Sequence, residues 1–368
     1  MEALRFMVAG GGTGGHVFPG IAVADALDRR TRDLSVCWVG TSRGIEARVL
    51  PTTPWRFEAM ELSGLNGVRG RKLVEALAKL PPAAAQAWRV LRRERPHVVL
   101  GVGGYAGGPI VAMAAAMRIP TAVLEPNAVP GMTNRILSRV VKRAFVTHEE
   151  TLSAFPAGVG VVTGSPVRRA FLARMASAVP VGGDVSVLVL GGSQGARAIN
   201  AVMPEAVAQL RAGGLAVKVT HQTGASERDA VAAAYAARGE AAEVVAFIED
   251  VATVMAQSSL VVCRAGAMTV AELGVLGRPA VYIPLPTAAD DHQRKNAEAM
   301  AARGAAKWIA QGELTPERLA AEMGAVLRDG DALQAMGAAA WASARPDAAG
   351  VIADGLLALA GGVGVQRG

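Results

Sequence analysis

A chain of 368 residues, 51% of them hydrophobic, can bury a sizeable core and suits two domains better than one. With 4% aromatic residues it lacks the stacking surface of a single-strand nucleic-acid binder, while its 43 glycines suit tight turns and close helix–sheet packing. The net charge of +7 is uneven: residues 1–165 carry 20 Lys/Arg against 12 Asp/Glu and the remainder 18 against 19, so an anionic partner is expected for the first half only.

Short apolar runs alternate with amphipathic stretches throughout, the pattern of parallel sheets joined by crossover helices. In the first half the runs predict strands at 4–9, 35–39, 98–102, 122–124, 144–147 and 160–163. In the second half they predict strands at 186–190, 216–220, 244–247, 260–263, 280–283 and 306–309. Gly182-Gly183, after the Pro180 turn, marks an interdomain linker within 165–183. The expected fold class is therefore α/β: two Rossmann-like domains, 1–165 and 166–344, with parallel sheets facing across a cleft. The Ala-rich tail 338–360 reads as closing helices broken at Arg345-Pro346.

The N-terminus MEALRFMVAGGG lacks the basic region and long apolar core of a secretory signal. Residues 98–117 are uncharged and long enough to span a bilayer, but Gly101, Gly103, Gly104, Gly107, Gly108 and Pro109 make strand–loop–helix the better reading. Cys37 and Cys263 end apolar runs, as buried strand residues of a cytoplasmic protein would.

Each half opens with a glycine-rich strand-to-helix turn, Gly10 to His16 and Gly191 to Arg197. Gly10, Gly12 and Gly15 match G-x-G-x-x-G, a weak signal by itself. A dinucleotide fold would also place an acid at the end of the second strand, and here that strand ends Trp38-Val39-Gly40-Thr41. A nicotinamide oxidoreductase is therefore disfavoured. A third glycine loop, 101–108 around Tyr105, is expected on the carboxyl edge of the same sheet. His16 stands where the first loop enters its helix, and the field of a helix start disfavours the charged imidazolium. A neutral imidazole beside phosphate-binding glycines suits a general base. His148 and His221 lack such surroundings and read as surface or core residues.

Between Gly64 and Pro96 lie Arg69, Arg71, Lys72, Lys79, Arg89, Arg92, Arg93 and Arg95, against Glu75 and Glu94. Leu73, Val74, Leu77, Leu80 and Trp88 interleave at roughly helical spacing. A basic face with an apolar stripe suits an anionic membrane surface, and the charge excess of this half favours that over a merely solvated face.

The stretch 260–272, LVVCRAGAMTVAE, joins a buried strand to a helix through small residues. Its backbone N–H groups suit phosphate, and Glu272 in the second turn suits sugar hydroxyls, as a ribose diol offers. No cofactor is expected. No Asp-x-Asp stands at a strand end to hold a metal, and the side chains of Asp290 and Asp291 diverge. The helix dipole, backbone N–H groups and a cation from Arg168 or Arg264 would have to stabilise a leaving diphosphate.

The motifs GGTGGHVFPGIAVA (11–24), LGVGGYAGGP (100–109), PNAVPGMTN (126–134), GSPVR (164–168), GGSQGAR (191–197), FIEDV (247–251), CRAGAMTVAEL (263–273) and DDHQRKNA (290–297) stand in one order. That set resembles the MurG family of glycosyltransferases over nearly the full length. The resemblance implies a double-Rossmann glycosyltransferase (GT-B type) with the last helix, in 345–368, returning to the first domain. It implies transfer of N-acetylglucosamine from UDP-N-acetylglucosamine (UDP-GlcNAc) to an undecaprenyl-linked muramyl-pentapeptide, with inversion, by a peripheral protein on the cytoplasmic face of the cell membrane. The first domain would take acceptor and membrane, the second the UDP-sugar.

By motif, His16 resembles the catalytic base. Donor contacts are implied at Thr13, Gly14, Gly15, Asn127, Arg168, Ser193, Ile248, Ala267, Met268, Thr269, Val270, Glu272, Gln293 and Asn296. Acceptor contacts are implied at Gly103, Gly104, Tyr105 and Asn134, with the 13–15 loop and Asn127 also near the acceptor pyrophosphate. Leu124-Glu125-Pro126-Asn127 departs from the family's His-Glu-Gln-Asn, so no role of that histidine or glutamine carries over. Ser165 and Met268 are milder exchanges, of an Asn and a Leu. Other readings share the scaffold: a UDP-sugar transferase with a different lipid acceptor, a UDP-N-acetylglucosamine epimerase, or a silent sugar-nucleotide-binding protein.

Overall fold

The computed structural model describes residues 3–60, 80–104, 107–175, 179–180, 185–191 and 196–361. The chain divides into two compact units: residues up to Arg168 together with those from Arg345 onward, and Arg169–Ala344. The division falls beyond residue 165. The segment around Gly164 packs on the returning chain, where a Cβ on Gly164 would stand 2.4 Å from Arg345 Cβ.

The first unit is a seven-stranded sheet in the order β3-β2-β1-β4-β5-β6-β7. Its strands are β1 Leu4–Gly10, β2 Leu34–Thr41, β3 Arg56–Met60, β4 Val98–Gly103, β5 Thr121–Glu125, β6 Arg143–Val146 and β7 Gly160–Val162. Every pairing is parallel. The helices are α1 Gly14–Asp28, the short α2 Glu46–Val49, α3 Leu80–Glu94, α4 Gly107–Ala116 and α5 Met132–Leu137. α1 carries few polar residues because it is covered on both sides. Val17, Val23 and Leu27 share one core with Leu4, Phe6 and Val8 of the sheet and with Ile352, Ala353 and Leu356 of the closing helix Ala348–Leu359. Each fully buried Val, Leu, Ile or Phe among them contributes about 1.5–3 kcal/mol. The described part of 98–117 forms β4 and α4, and among the described residues no helix is long and apolar enough to cross a membrane.

The second unit is a six-stranded parallel sheet in the order β10-β9-β8-β11-β12-β13. The strands are β8 Val185–Leu190, β9 Val217–Gln222, β10 Glu243–Val245, β11 Leu260–Cys263, β12 Ala280–Tyr282 and β13 Ala306–Trp308. Three of its helices matter below: α6 Arg197–Ala212, α7 Ala267–Leu276 and α8 His292–Ala302. α7 stops at Gly277, whose φ of 63° is the left-handed conformation that glycine adopts without strain.

All the expected strands form, their ends moved by a residue or two. β3 was not anticipated. It is a short edge strand, RFEAM, with charged residues and only Met60 fully buried, so no apolar run announces it. In both sheets the strand order reverses once, between β1 and β4 and between β8 and β11. In open parallel sheets ligands bind beyond the carboxyl ends of the strands at such reversals.

Candidate active site

At the first reversal two glycine loops meet backbone to backbone. Gly11 N donates to Gly103 O at 3.3 Å. A Cβ on Gly10 would stand 2.1 Å from Gly103 O, and one on Gly104 2.4 Å from Gly11 O, so any larger residue would separate the loops. Trp38, fully buried in β2, donates Nε1 to Gly10 O at 2.9 Å and braces the crossing from below. Thr13 takes the N-cap position of α1 without a side-chain cap bond, and no acid stands in the first turn. The N–H groups of Gly14 and Gly15 there are the anion-binding kind.

His16, on that first turn, places Nδ1 2.9 Å from Gly11 O and 3.3 Å from Thr13 Oγ1. A carbonyl oxygen only accepts, so Nδ1 carries a hydrogen, and in the neutral form of the ring Nε2 is the nitrogen that can take a proton. Nε2 stands beside the second loop: a Cβ on Gly103 would be 2.9 Å from it.

Two buried carboxylates shape these loops. Glu46, fully buried, accepts from Gly12 N at 2.7 Å, Thr41 N at 2.9 Å and Thr41 Oγ1 at 2.8 Å. An acid therefore does occupy the end of β2, but it arrives from α2 and turns back into the glycine loop. Glu125, at the end of β5, accepts from Asn127 N and Nδ2 at 3.0 and 3.1 Å and from Gly131 N and Asn134 Nδ2, both at 2.9 Å. Asn127 and Asn134 thus spend their amide N–H groups on Glu125, and Asn134 also donates to Leu124 O. Asn134 Oδ1 is buried with no hydrogen-bond partner. Leu124, the departure from the family pattern, packs in the apolar core of the unit. Arg168 lays its guanidinium over the Phe18 ring of α1, 4.6 Å from the centroid.

At the second reversal, β11 delivers the turn Arg264-Ala265-Gly266 and α7. Gly266 is the N-cap, no side chain caps the helix, and its first turn, Ala267 to Val270, contains no acid. Met268 is buried, while Thr269 and Val270 are half-buried. Glu272 follows one turn on and is only 6% exposed. Asn296 of α8 is buried, donates Nδ2 to Ala265 O at 3.0 Å and keeps Oδ1 without a partner. Gln293 accepts from Leu285 N at 3.1 Å. Ile248, half-buried, follows β10, and Asp250 caps the next helix through Thr253 N.

Arg264 is engaged within the unit. Its guanidinium donates to Ile283 O, Pro284 O and Gln311 Oε1 at 2.9, 3.2 and 2.7 Å, so the cation braces the turn against the neighbouring strand. Tyr105, Ser193 and the rest of the 192–195 loop lie outside the described residues, as do Gly182-Gly183 and the basic residues Arg69, Arg71, Lys72 and Lys79.

The metal-type ligands found close together among the described residues are Cys37, Glu58 and Glu94, within 4.8 Å of one another. Arg56 pairs with Glu94 and Arg93 with both glutamates, so cations already neutralise the carboxylates, and burial pushes the Cys37 thiol up. Asp291 is paired with Arg294.

Residues 6–146 match the glycosyltransferase family 28 N-terminal domain and residues 186–352 its C-terminal domain. The UDP-N-acetylglucosamine–N-acetylmuramyl-(pentapeptide) pyrophosphoryl-undecaprenol N-acetylglucosamine transferase of Geobacter sulfurreducens is 44% identical, over 96% of this chain and 98% of its own. The enzyme of the same name from Anaeromyxobacter dehalogenans is 46% identical over 95% and 92%. The crystal structure of Acinetobacter baumannii MurG superposes with a TM-score of 0.79 at 33% identity, over 96% of this chain and 99% of that one. The UDP-GlcNAc 2-epimerase from Neisseria meningitidis has a TM-score of 0.69 at 13% identity and shares the fold alone. With relatives this similar over almost their whole length, the chain belongs to the MurG family of glycosyltransferases, within glycosyltransferase family 28.

Proposed function

We propose that this protein transfers N-acetylglucosamine from UDP-GlcNAc to a muramyl-pentapeptide carried on an undecaprenyl pyrophosphate, the step its curated relatives are named for. The observation that carries the reading is the His16 ring, held on Gly11 O through Nδ1 at a phosphate-type glycine loop, an arrangement in which Nε2 is the nitrogen suited to take a proton. The acceptor hydroxyl attacks the anomeric carbon as its proton passes to Nε2. The new C–O bond forms while the bond to the UDP oxygen breaks, with inversion, and the diphosphate leaves with the electron pair.

The uncapped start of α7 suits the departing phosphates: Ala267, Met268 and Thr269 offer backbone N–H groups and a positive helix end. Glu272 takes the ribose hydroxyls, Ile248 the uracil, and Gln293 and Asn296 the N-acetylglucosamine. Arg168 and Ser193 assist the donor, and Gly103, Gly104, Tyr105 and Asn134 the acceptor.

The protein works from the cytoplasmic face of the membrane, held there by its first unit. Met132 and Ile136 of α5 are 61% and 70% exposed, and beside them Arg135 and Arg139 line a cavity of about 900 Å³ together with Phe155. Apolar side chains flanked by arginines suit an anionic bilayer surface. On α3, Trp88 is exposed with Arg92 stacked 5.1 Å from its ring centroid.

The test is UDP release from UDP-GlcNAc with a short-chain muramyl-pentapeptide lipid. Release that requires the lipid, with a disaccharide-lipid product, supports the assignment. Epimerised sugar nucleotide without acceptor, or no turnover at all, would overturn it.

A further inference from the structure

Gly11 O and Gly12 N–H belong to one peptide group, and its two ends are engaged by two different side chains. Glu46 accepts from Gly12 N–H at 2.7 Å, and Gly11 O accepts from His16 Nδ1 at 2.9 Å. The peptide is trans, so its C=O and N–H point in opposite directions and the chain carboxylate–peptide–imidazole runs without a break. Hydrogen bonds in series polarise one another: a carboxylate pulling on the N–H makes the carbonyl a stronger acceptor. The loop is cut to fit this group. A Cβ on Gly11 would lie 2.3 Å from the Glu46 carboxyl carbon, and one on Gly44 2.1 Å from its Oε2. A carboxylate with no exposed surface is expensive to bury, and three hydrogen bonds from Gly12 and Thr41 offset that cost.

We propose that Glu46 is a positioning residue for His16, acting through the Gly11–Gly12 peptide to hold the ring in its Nδ1–H form and to stabilise the imidazolium formed when Nε2 takes a proton. The logic is that of a carboxylate–histidine pair in which a peptide group stands between the partners. The proposal rests on reading His16 as the base. The charged groups on the surrounding elements include Glu125, whose oxygens are occupied by Asn127, Gly131 and Asn134; Arg168, stacked on Phe18; Arg43 and Arg48, both exposed on the segment that carries Glu46; Asp25 and Asp28, more than two turns along α1 from His16; and Arg5, near the start of β1.

The experiment is a pH titration of the 15N-labelled histidines in the full-length protein, wild type and Glu46→Gln, with His16 assigned from His16→Gln. The wild-type ring should show the Nδ1–H tautomer. Glu46→Gln keeps the shape but removes the charge, so the His16 midpoint should fall by about 0.5–1 pH unit, less than for a carboxylate in direct contact. The acidic limb of kcat should move down with it, and kcat should drop about tenfold, the low end for the outer partner of a working histidine. A loop-shaping role alone moves neither the midpoint nor the limb. A wild-type Nε2–H tautomer, or an unmoved midpoint in folded Glu46→Gln, would overturn the proposal. Should that variant fail to fold, Glu46→Asp, which keeps the charge but withdraws it from Gly12 N–H, gives the second reading: the midpoint should again fall, and an unmoved midpoint would overturn the proposal. Near-normal kcat in His16→Gln would remove the base reading instead, while an unmoved midpoint with inactive His16→Gln removes only the relay.

Discussion

Glu125 accepts a hydrogen bond from Asn134 Nδ2 at 2.9 Å inside the first unit, and both residues are buried. With four donors on its two oxygens, Glu125 organises the 126–131 turn and has no accepting site left for a substrate proton. Glu125→Gln would set an amide N–H₂ against those donors. It should lower the stability of the unit by about 1–3 kcal/mol and raise the acceptor KM, while leaving the acidic limb of kcat in place. Denaturant unfolding and a pH–rate profile check this, and a lost acidic limb would make Glu125 the base.

Glu272 is the corresponding carboxylate of the second unit. Glu272→Ala should weaken UDP-GlcNAc binding by one to two decades, since hydrogen bonds to a charged group contribute about 1.5–3 kcal/mol. Calorimetry reads this directly. Unchanged donor affinity in a folded variant would place the ribose elsewhere.

Most of the architecture is legible in the sequence because the central strands are buried on both faces. Val98–Gly103 and Leu260–Cys263 are continuous apolar runs, and their glycine or small-residue turns mark the carboxyl edges where ligands go. Arg56–Met60 is not legible, because an edge strand half open to solvent needs no apolar run. The role of Glu46 was also hidden. It lies beyond the end of β2 in a single helical turn, and only the approach of Gly11, Gly40 and Gly44 to its side chain reveals it. Arg264, Gln293 and Asn296 show a further limit. Sequence marks them as polar residues near a ligand, but whether a side chain serves a substrate or the backbone carbonyls and N–H groups around it depends on packing.

Membrane attachment should depend on α5 and on Arg139, two residues beyond its end. Arg135→Gln with Arg139→Gln should weaken sedimentation with anionic liposomes by about 2 kcal/mol, roughly 1 kcal/mol for each charge. Met132→Ser with Ile136→Ser should weaken it further through lost apolar insertion, and turnover of a soluble acceptor should survive both changes. Arg93→Gln should matter less, because that guanidinium is already paired with Glu58 and Glu94. Unchanged liposome binding in the quadruple variant would move attachment away from α5.

His221 gives the second unit a pH dependence. Fully buried between Tyr235 Oη and Asn200 Oδ1, both at 3.1 Å, it is pushed down to about 4 from 6.5 by burial. Its folded-state value lies below its unfolded one, so the unfolded chain binds the proton first. The stability it lends is complete above pH 6.5 and is lost as pH falls towards 4, by about 3 kcal/mol in all. Unfolding free energies measured between pH 7 and 4 should show this slope. A His221→Gln protein with the same slope would assign it to other groups.

The most direct test of the reaction chemistry is kcat at saturating acceptor for His16→Ala, measured beside UDP-GlcNAc affinity. A fall of about 10²–10⁴-fold, the usual contribution of a general base, with donor affinity unchanged and the acidic limb flattened, is expected. A kcat close to wild type, with only the acceptor KM raised, would mean that His16 binds the acceptor and takes no proton from it.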